Sequence, residues 1–287
     1  MHKNFDVVVA DTLEQALTLL RKEKGARPIL GGTDLLLQLE KGFLSSELLV
    51  DITRIPEISY IKEEASQISI GAGITHAAIC EWTAGHSAFA ALYEASSSIG
   101  TPQVRNRATL MGNLCNAVPS ADGAPPVLVL GGHIVAASLE GKRNIPLEKF
   151  FVGPKRTILR PDELAVELIL PKTEDNTVSC YRKFGPRKAA DLAYVGVAVL
   201  LREDRSRKLT DLRIALGAVG PTPILVGGTE QFLGHQLDDQ MIDQCSRLAA
   251  AAARPITDFR ATAEYRRALV EIEVSRALTH CRAQMVR

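Results

Sequence analysis

The sequence predicts an α+β protein made of three consecutive segments. Three observations predict it: short apolar runs typical of strands, amphipathic stretches that begin at capping residues, and a change in their order along the 287 residues. Helical and extended stretches alternate at first, whereas strand-like runs precede two helices at the end. We place the segments at 1–56, 57–175 and 176–287, each the length of a small domain or subdomain.

The first segment has the pattern of a small α/β unit. Thr12 can cap a helix, and apolar residues recur on one face of that helix until Gly25 ends it. A strand is predicted over 28–30, a second helix over 35–41 and a buried strand over 48–52.

The second segment mixes strand and helix signals. Strands are predicted at 58–61, 67–70, 134–137, 144–147 and 164–170, and helices after Thr75 and over 88–98. Residues 109–126 have no clean period and contain two adjacent prolines, so they predict mostly loop.

The third segment predicts a three-stranded sheet followed by helices. Strand-like runs lie at 180–184, 194–201 and 212–219, and helical patterns cover 239–253 and 263–279. Strands followed by helices are typical of a separate α+β domain.

Composition excludes several classes of function. With 34 Lys and Arg against 33 Asp and Glu, the net charge of +1 disfavours a nucleic-acid-binding face. No apolar run approaches the roughly 20 residues that span a bilayer, so we expect no membrane insertion. The five cysteines are scattered and include no C-x-x-C pair, which predicts reduced thiols in the cytoplasm and no metal site in this chain.

The run Leu30-Gly31-Gly32-Thr33-Asp34 is a candidate phosphate site, because backbone N–H groups between a strand and a helix can bind phosphate oxygens. Glycine allows close approach, and Thr33 adds a hydroxyl donor. The alternative is a tight turn that needs glycine for geometry alone. The Asp34 carboxylate would repel phosphate unless it points away or caps the helix.

A second candidate lies at Thr109–Asn113, followed by Ser120 and Asp122. Asn113 can both donate and accept, and the Asp122 carboxylate can accept hydroxyl protons of a ribose or ribityl chain. Alternatively, Asp122 is the N-cap of a helix that starts at Ala124. Both interpretations are compatible with one carboxylate.

Two other signals remain ambiguous. The stretch 71–76 has a histidine where the third glycine of a dinucleotide fingerprint belongs, so it is weak evidence for a Rossmann site. A basic cluster indicates either a solvated face or a cation beside a polyanionic ligand; its members are Arg182, Lys183, Arg187 and Lys188.

The two candidate sites together carry a resemblance to a known family. The sequence contains ILGGTDLLLQL and then GTPQVRNRATLMGNLCNAVPSADGAPP, and further matches are RPDELAVELILP, YRKFGPRKAADLAYVGVAV and RATAEYRRALVEIEVSRAL. It resembles the FAD-binding (medium) subunits of molybdenum hydroxylases, most of all the flavin subunits of bacterial xanthine dehydrogenases, with carbon monoxide dehydrogenase medium subunits as near relatives. The resemblance implies two N-terminal α/β subdomains of the FAD-binding PCMH-type fold and a C-terminal α+β domain.

The resemblance also implies which residues bind FAD. The expected cofactor-binding residues are Ile29, Leu30, Gly31, Gly32, Thr33, Asp34, Leu35, Ile99, Thr109, Gly112, Asn113, Ser120, Asp122, Leu164 and Lys183. The glycine run would wrap the diphosphate, Asp122 would bind cofactor hydroxyls, and Leu164 and Lys183 would lie near the isoalloxazine ring. Tyr194 would lie beside the ring face. No catalytic residue and no metal ligand is expected in this chain, because flavin carries the redox chemistry.

The function implied by the resemblance is that of an electron-transfer oxidoreductase subunit. Electrons would arrive from [2Fe–2S] clusters of a small partner subunit and leave reduced FAD for NAD⁺ or another acceptor. A large partner subunit would hold the molybdenum cofactor, giving a heterotrimer or its dimer. Two alternatives are a self-contained flavin oxidoreductase and a non-enzymatic nucleotide-binding protein.

Overall fold

A computed structural model describes residues 5–187 and 190–285. The strands are β1 (Asp6–Val9), β2 (Arg27–Ile29), β3 (Leu48–Asp51), β4 (Ile61–Glu63), β5 (Gln67–Gly71), β6 (His133–Ser138), β7 (Gly141–Pro146), β8 (Phe151–Gly153), β9 (Arg156–Thr157), β10 (Leu164–Pro171), β11 (Thr177–Phe184), β12 (Val195–Glu203), β13 (Leu209–Gly217) and β14 (Ile224–Leu225). The α-helices are α1 (Leu13–Lys22), α2 (Leu35–Glu40), α3 (His76–Thr83), α4 (Ala90–Ser98), α5 (Pro102–Arg105), α6 (Leu110–Asn116), α7 (Ala124–Val129), α8 (Leu147–Phe150), α9 (Asp239–Ala252) and α10 (Ala263–Met285). This mixture of helices and separate sheets confirms the α+β class.

The first sheet is parallel and has the order β1-β3-β2. The side chain of Thr12 accepts a hydrogen bond from the N–H of Gln15 at 3.2 Å and so begins α1, whose buried face includes Leu17 and Leu20. Strand β1 was not expected, because its valines are exposed and show no alternation of burial.

The second sheet is antiparallel and has the order β4-β5-β10-β6-β7. Its hairpin β6–β7 and its long strand β10 agree with the sequence analysis. The strand expected at 58–61 begins instead at Ile61, because Pro56–Ile58 forms a 3₁₀ turn. The expectation of mostly loop over 109–126 is wrong, since α6 and α7 occupy most of that stretch.

The third sheet has four strands, in the order β11-β12-β13-β14, rather than the three expected. The additional strand β14 contains only two residues, which is too short for an apolar pattern to indicate it. Helices α9 and α10 agree with the sequence analysis and pack against each other and the sheet.

Both faces of the third sheet are buried. Tyr181, Ala198 and Ala215 belong to one core, shared with the second sheet and with α4, α6 and α7. Val197 and Ile214 belong to a second core, formed with α9 and α10. The sheet thus lies between α4, α6 and α7 on one face and α9 and α10 on the other, so its residues can contact the first two segments. No described helix combines the length and apolar character needed to cross a membrane.

A candidate cofactor site where two glycine turns meet

The two candidate segments, at 30–34 and 109–113, lie close together. We call them the two glycine turns. A Cβ atom built on Gly31 would lie 2.1 Å from the backbone oxygen of Arg107 and 3.0 Å from the Cα of Ala108. No other residue fits at position 31 without separating the two chain segments. Gly32 has φ +70°, a conformation that favours glycine. The turn after β2 therefore meets the residues directly before Thr109, although about 75 residues separate them in sequence.

The incomplete fingerprint at 71–76 holds the second turn in place. The His76 N–H donates to the Ala108 oxygen at 2.9 Å, and the Leu110 N–H donates to the Ile74 oxygen at 3.3 Å. A Cβ on Gly71 would lie 2.3 Å from the backbone oxygen of Ile58. Close packing against the chain therefore explains this glycine, and the segment acts as a brace for the site.

Thr109 begins α6 as its N-cap. The Thr109 hydroxyl oxygen accepts a hydrogen bond from the N–H of Gly112 at 2.9 Å, and the helix ends at Ala117 with φ 48°. Met111 is buried, 4% exposed, on the core side of α6. A helix of seven residues gives too few turns for a hydrophobic period, which is why the sequence pattern suggested a loop.

Asn113 connects α6 to the segment that contains Asp122. The Asn113 side-chain oxygen Oδ1 accepts a hydrogen bond from the N–H of Gly123 at 3.1 Å. The N-cap of α7 is Gly123, and it makes no side-chain capping bond, so the N-cap interpretation of Asp122 is wrong. Ser120 lies half-buried in the turn between the two helices, where the Ala121 N–H donates to the Val118 oxygen.

Asp122 is buried and bound to two groups on β11. Its Oδ1 accepts a hydrogen bond from the Tyr181 hydroxyl at 2.7 Å, and its Oδ2 pairs with the Lys183 ammonium at 2.8 Å. Burial raises the pKa of Asp122, while the charge of Lys183 and the two hydrogen bonds act to lower it. Burial, and next the Asp122 charge, raise the pKa of Tyr181 well above its usual value, so this phenol is a donor at neutral pH.

The basic cluster on and after β11 does not act as one unit. Its described pairings are Arg182 with Glu273 at 2.7 Å, Lys183 with Asp122 at 2.8 Å and Arg187 with Asp191 at 3.5 Å. Lys188 lies outside the described residues. Because side chains alternate along a strand, Arg182 points to α10 while Lys183 points to the candidate site.

The structure also gives the surroundings of four further expected site residues. Asp34 is exposed at the start of α2 and makes no side-chain capping bond, and Leu35 follows it half-buried. The backbone oxygen of Ile99 accepts a hydrogen bond from Arg105 at 3.0 Å at the end of α4. Leu164 begins β10 in the core, 3% exposed, and α6 packs against that strand. Their cofactor contacts stay predictions.

Sequence reasoning missed Tyr181 and Gly196. Tyr181 precedes the expected Lys183 by two positions, so both side chains lie on the same face of β11. The alternation of side chains along a strand could therefore have identified Tyr181 from the sequence. Gly196 pairs with Lys183 across β12, and a Cβ on it would lie 2.6 Å from the Tyr181 hydroxyl oxygen.

The residues present fit a flavin dinucleotide. Gly31 and Gly32 carry no side chains, so the backbone N–H groups of the turn after β2 can approach a diphosphate closely. Buried Asp122 offers acceptors for a polyol, and Lys183 supplies a cation beside them. An open cleft of about 780 Å³ lies elsewhere, lined in part by Thr177 at the far end of β11 from Lys183. We therefore choose the site at Asp122 for the chemistry of its residues rather than for the volume of a cavity.

Comparison with known proteins agrees with this geometry. Residues 3–173 match the family described as "FAD binding domain in molybdopterin dehydrogenase", and residues 179–281 match "CO dehydrogenase flavoprotein C-terminal domain". The carbon monoxide dehydrogenase medium chain of Hydrogenophaga pseudoflava is 32% identical over 276 residues, 96% of each chain. The xanthine dehydrogenase FAD-binding subunit of Escherichia coli O157:H7 is 32% identical over 273 residues, 94% of this chain and 93% of the relative.

A solved structure gives the same result for the fold. Carbon monoxide dehydrogenase from Hydrogenophaga pseudoflava, in a form that lacks the Mo-pyranopterin moiety of the molybdenum cofactor, superposes with a TM-score of 0.92 at 30% identity and covers 97% of both chains. These matches confirm the resemblance, the oxidoreductase class and FAD as the cofactor. The chain belongs to the family that carries the FAD-binding domain of molybdopterin dehydrogenases.

Proposed function

We propose that this chain is the electron-transfer flavin subunit of a molybdenum hydroxylase. It would receive electrons from [2Fe–2S] clusters of a small partner subunit and pass them from reduced FAD to NAD⁺ or another acceptor. The observation that carries the proposal is a connected path through the fold. Gly31 packs against Ala108, the chain continues through α6 to Asn113, Asn113 binds the N–H of Gly123, and the preceding residue Asp122 pairs with Lys183. That path joins a turn formed by glycines to a buried carboxylate–ammonium pair, which would suit the diphosphate of FAD and the polyol chain that leads from it to the ring.

Each part of the site has a proposed task. The backbone of Ile29–Leu35 binds the diphosphate, with Thr109, Gly112 and Asn113 closing the opposite side. Ser120 and Asp122 bind hydroxyl groups, and Ile99 packs against the nucleotide. When bound, FAD supplies the redox chemistry.

Lys183 and Leu164 have the proposed tasks at the ring end. Lys183 keeps its ammonium in place through the 2.8 Å contact with Asp122, and so places a fixed positive charge beside the ring. Leu164, buried at the start of β10, supplies apolar surface that excludes water there.

The proposal includes partners that this chain does not contain. A large subunit would hold the molybdenum cofactor and select the substrate, and a small subunit would hold the iron–sulfur clusters, in a heterotrimer or its dimer. Relatives support this, because those compared are a medium chain and a FAD-binding subunit by name. We place the assembly in the cytoplasm, where the five free cysteines would stay reduced.

Purification of the chain and analysis of the released nucleotide test the proposal. We expect yellow protein, or protein that binds FAD after reconstitution, together with co-purification of two further chains from the native host. Protein that cannot be loaded with FAD would contradict the proposal. Steady turnover by the isolated chain with NADH and its physiological acceptor, with no co-purifying chain, would favour a self-contained flavin oxidoreductase instead.

A further inference from the structure

Asp122 is bound across the boundary between the two matched domains. Asp122 belongs to the FAD-binding domain at 3–173, whereas Tyr181 and Lys183 belong to the C-terminal domain at 179–281. The two donors bind different oxygens of the carboxylate, so together they fix its plane. Each oxygen keeps a lone pair for a further donor.

The Tyr181 hydroxyl occupies a space that only glycine leaves open. On the neighbouring strand β12, a Cβ at position 196 would lie 2.6 Å from the Tyr181 hydroxyl oxygen and 3.3 Å from the nearest ring carbons. The atom that conflicts most strongly is therefore the oxygen that binds Asp122. Gly196 is explained by this hydroxyl, because its neighbours on β12 are buried apolar residues with larger side chains.

The rest of Tyr181 is fixed independently of its hydroxyl. Its backbone N–H donates to the Glu94 carboxylate on α4, and its ring, 6% exposed, lies in the core that the sheet shares with α4 and α7. Removal of the oxygen alone would leave these contacts in place. The contribution of the hydroxyl can therefore be tested without disturbing the other contacts of Tyr181.

We propose that Tyr181 is a positioning residue of the cofactor site. In the space left by Gly196, its hydroxyl holds Asp122 in the orientation that accepts the polyol hydroxyls of FAD while the second carboxylate oxygen holds Lys183. This inference rests on the proposed function. The Tyr181 hydroxyl donates to the Asp122 carboxylate, so it would act on cofactor binding through Asp122.

The variant Tyr181→Phe removes only the oxygen. One hydrogen bond to a charged group is worth about 1.5–3 kcal/mol, which corresponds to a loss of FAD affinity of about tenfold to a hundredfold if the orientation of Asp122 is needed for binding. Among the described residues, the ionisable groups that act on Asp122 are Lys183 and Tyr181, both on β11. Loss of the hydroxyl raises the pKa of the carboxyl further, so FAD binding should weaken at a higher pH than in the wild type.

The variant Gly196→Ala approaches the same hydroxyl from the other side. Its methyl group would displace the Tyr181 oxygen, so FAD affinity should fall here also. In a Tyr181→Phe background that conflict is relieved, and the same alanine should cost much less. The two substitutions are therefore expected to be strongly non-additive.

The experiment measures the FAD dissociation constant of the full chain from pH 5 to 8, by flavin fluorescence, for the wild type, both single variants and the double variant. Tyr93→Phe, which changes an exposed tyrosine on α4, is the matched control. Melting temperatures of the FAD-free proteins report folding. We expect Tyr181→Phe to weaken binding at least tenfold and to shift its pH profile upward, while Tyr93→Phe does neither.

The outcomes separate this inference from the proposed function. Wild-type protein that binds no FAD overturns both. Wild-type binding with an unchanged affinity and pH profile in Tyr181→Phe overturns only the role of Tyr181. Additive effects of the substitutions at 181 and 196 overturn it as well, even if one single variant folds poorly.

Discussion

Asp122 is the residue on which the cofactor site depends most, because it joins three parts of the chain. It directly precedes Gly123, whose N–H donates to the Asn113 side chain, and it accepts hydrogen bonds from Tyr181 and Lys183 of the other domain. A carboxylate this deeply buried, 8% exposed, is stable only while its two donors are present. The same reasoning predicts what its removal does.

Asp122→Ala should lower both the flavin content and the stability of the protein. Lys183, with 14% of its side chain exposed, and the Tyr181 hydroxyl would lose their acceptor, at a cost of about 3–5 kcal/mol in the free energy of unfolding. Urea denaturation and flavin content measure the two effects. Asp243→Ala is the control, because Asp243 is half-exposed in its pair with Arg247 and should change the stability by less than about 0.5 kcal/mol. Full flavin retention in Asp122→Ala would remove the proposed role of the carboxylate.

Gly31→Ala tests whether the two turns must touch. The new methyl group would conflict with the Arg107 oxygen, so the turns should separate, with FAD affinity lost and stability lowered by more than about 1 kcal/mol. Gly227→Ala is the matched control, because a Cβ there meets nothing within 4 Å and its φ is not positive, so its stability should be unchanged or slightly raised. Equal FAD affinity in the two variants would show that close contact at Gly31 is not required.

For individual residues, the sequence predicted which side chains belong to the candidate site better than it predicted the contacts between them. Gly31 and Asp122 were predicted from their local motifs and Lys183 through the family resemblance, whereas Tyr181 and Gly196 were not predicted. The position of Tyr181 in the strand pattern of β11 predicts an ordinary core residue. Only the fold shows that its hydroxyl oxygen reaches Asp122. Contacts between residues about 60 positions apart depend on the packing of two domains, which no local pattern reports.

Among the elements, the short helices around the site were the hardest to predict. Helices α6 and α7 have seven and six residues, so their caps and packing decide their existence more than any period does. Pro125 and Pro126 suggested a loop but lie in the first turn of α7, where a missing N–H costs nothing. Longer elements, such as α1, α9 and β10, were predicted to within a few residues because their apolar periods are complete.

Packing of α3 against α4 involves a buried histidine. The His76 Nδ1 lies 3.1 Å from the Ser96 hydroxyl oxygen, and no described residue makes a hydrogen bond to its Nε2. Burial, and next the charge of Arg105, lower the pKa of His76 from 6.5 to about 4. The folded protein therefore keeps this ring neutral at pH values where the unfolded chain would bind a proton.

This histidine should make stability depend on pH. Between pH 6.5 and about 4 the unfolded chain binds more protons at His76, so stability is complete above 6.5 and falls as the pH drops through that window. The contribution is about 3 kcal/mol, at 1.36 kcal/mol per pKa unit. In His76→Gln, the unfolding free energy should fall less between pH 7 and pH 4.5 than it does in the wild type. Parallel pH curves for the variant and the wild type would contradict this assignment.

In the whole molecule, the C-terminal sheet links the two matched domains into one structure. Alternate residues of β12 and β13 enter the two cores, with Ala198 and Ala215 on one side and Val199 and Ile214 on the other. Neither core is complete without the sheet. The first core also contains residues on both sides of position 56, such as Val50 and Ile70. The boundaries at 56/57 and 175/176 stay predictions about segments of the sequence.

Unfolding should accordingly be cooperative. We expect one thermal transition for the full chain, and FAD at 100 times its dissociation constant should add about 2.7 kcal/mol to the unfolding free energy and raise the midpoint by several degrees. Riboflavin at the same concentration is the control, because it lacks the diphosphate that the Gly31 turn is proposed to bind. Scanning calorimetry with two resolved transitions, only one of them shifted by FAD, would contradict the shared packing.

Hydrogen exchange of the full chain with and without FAD, read by mass spectrometry, tests the central claim most directly. The account predicts slower exchange on binding in peptides that contain residues 30–35, 108–113, 120–123 and 181–184, the segments that meet at the site. Little change is expected in peptides that line the open cleft near Thr177. Protection concentrated at that cleft, with the Gly31 turn and Asp122 unaffected, would contradict it.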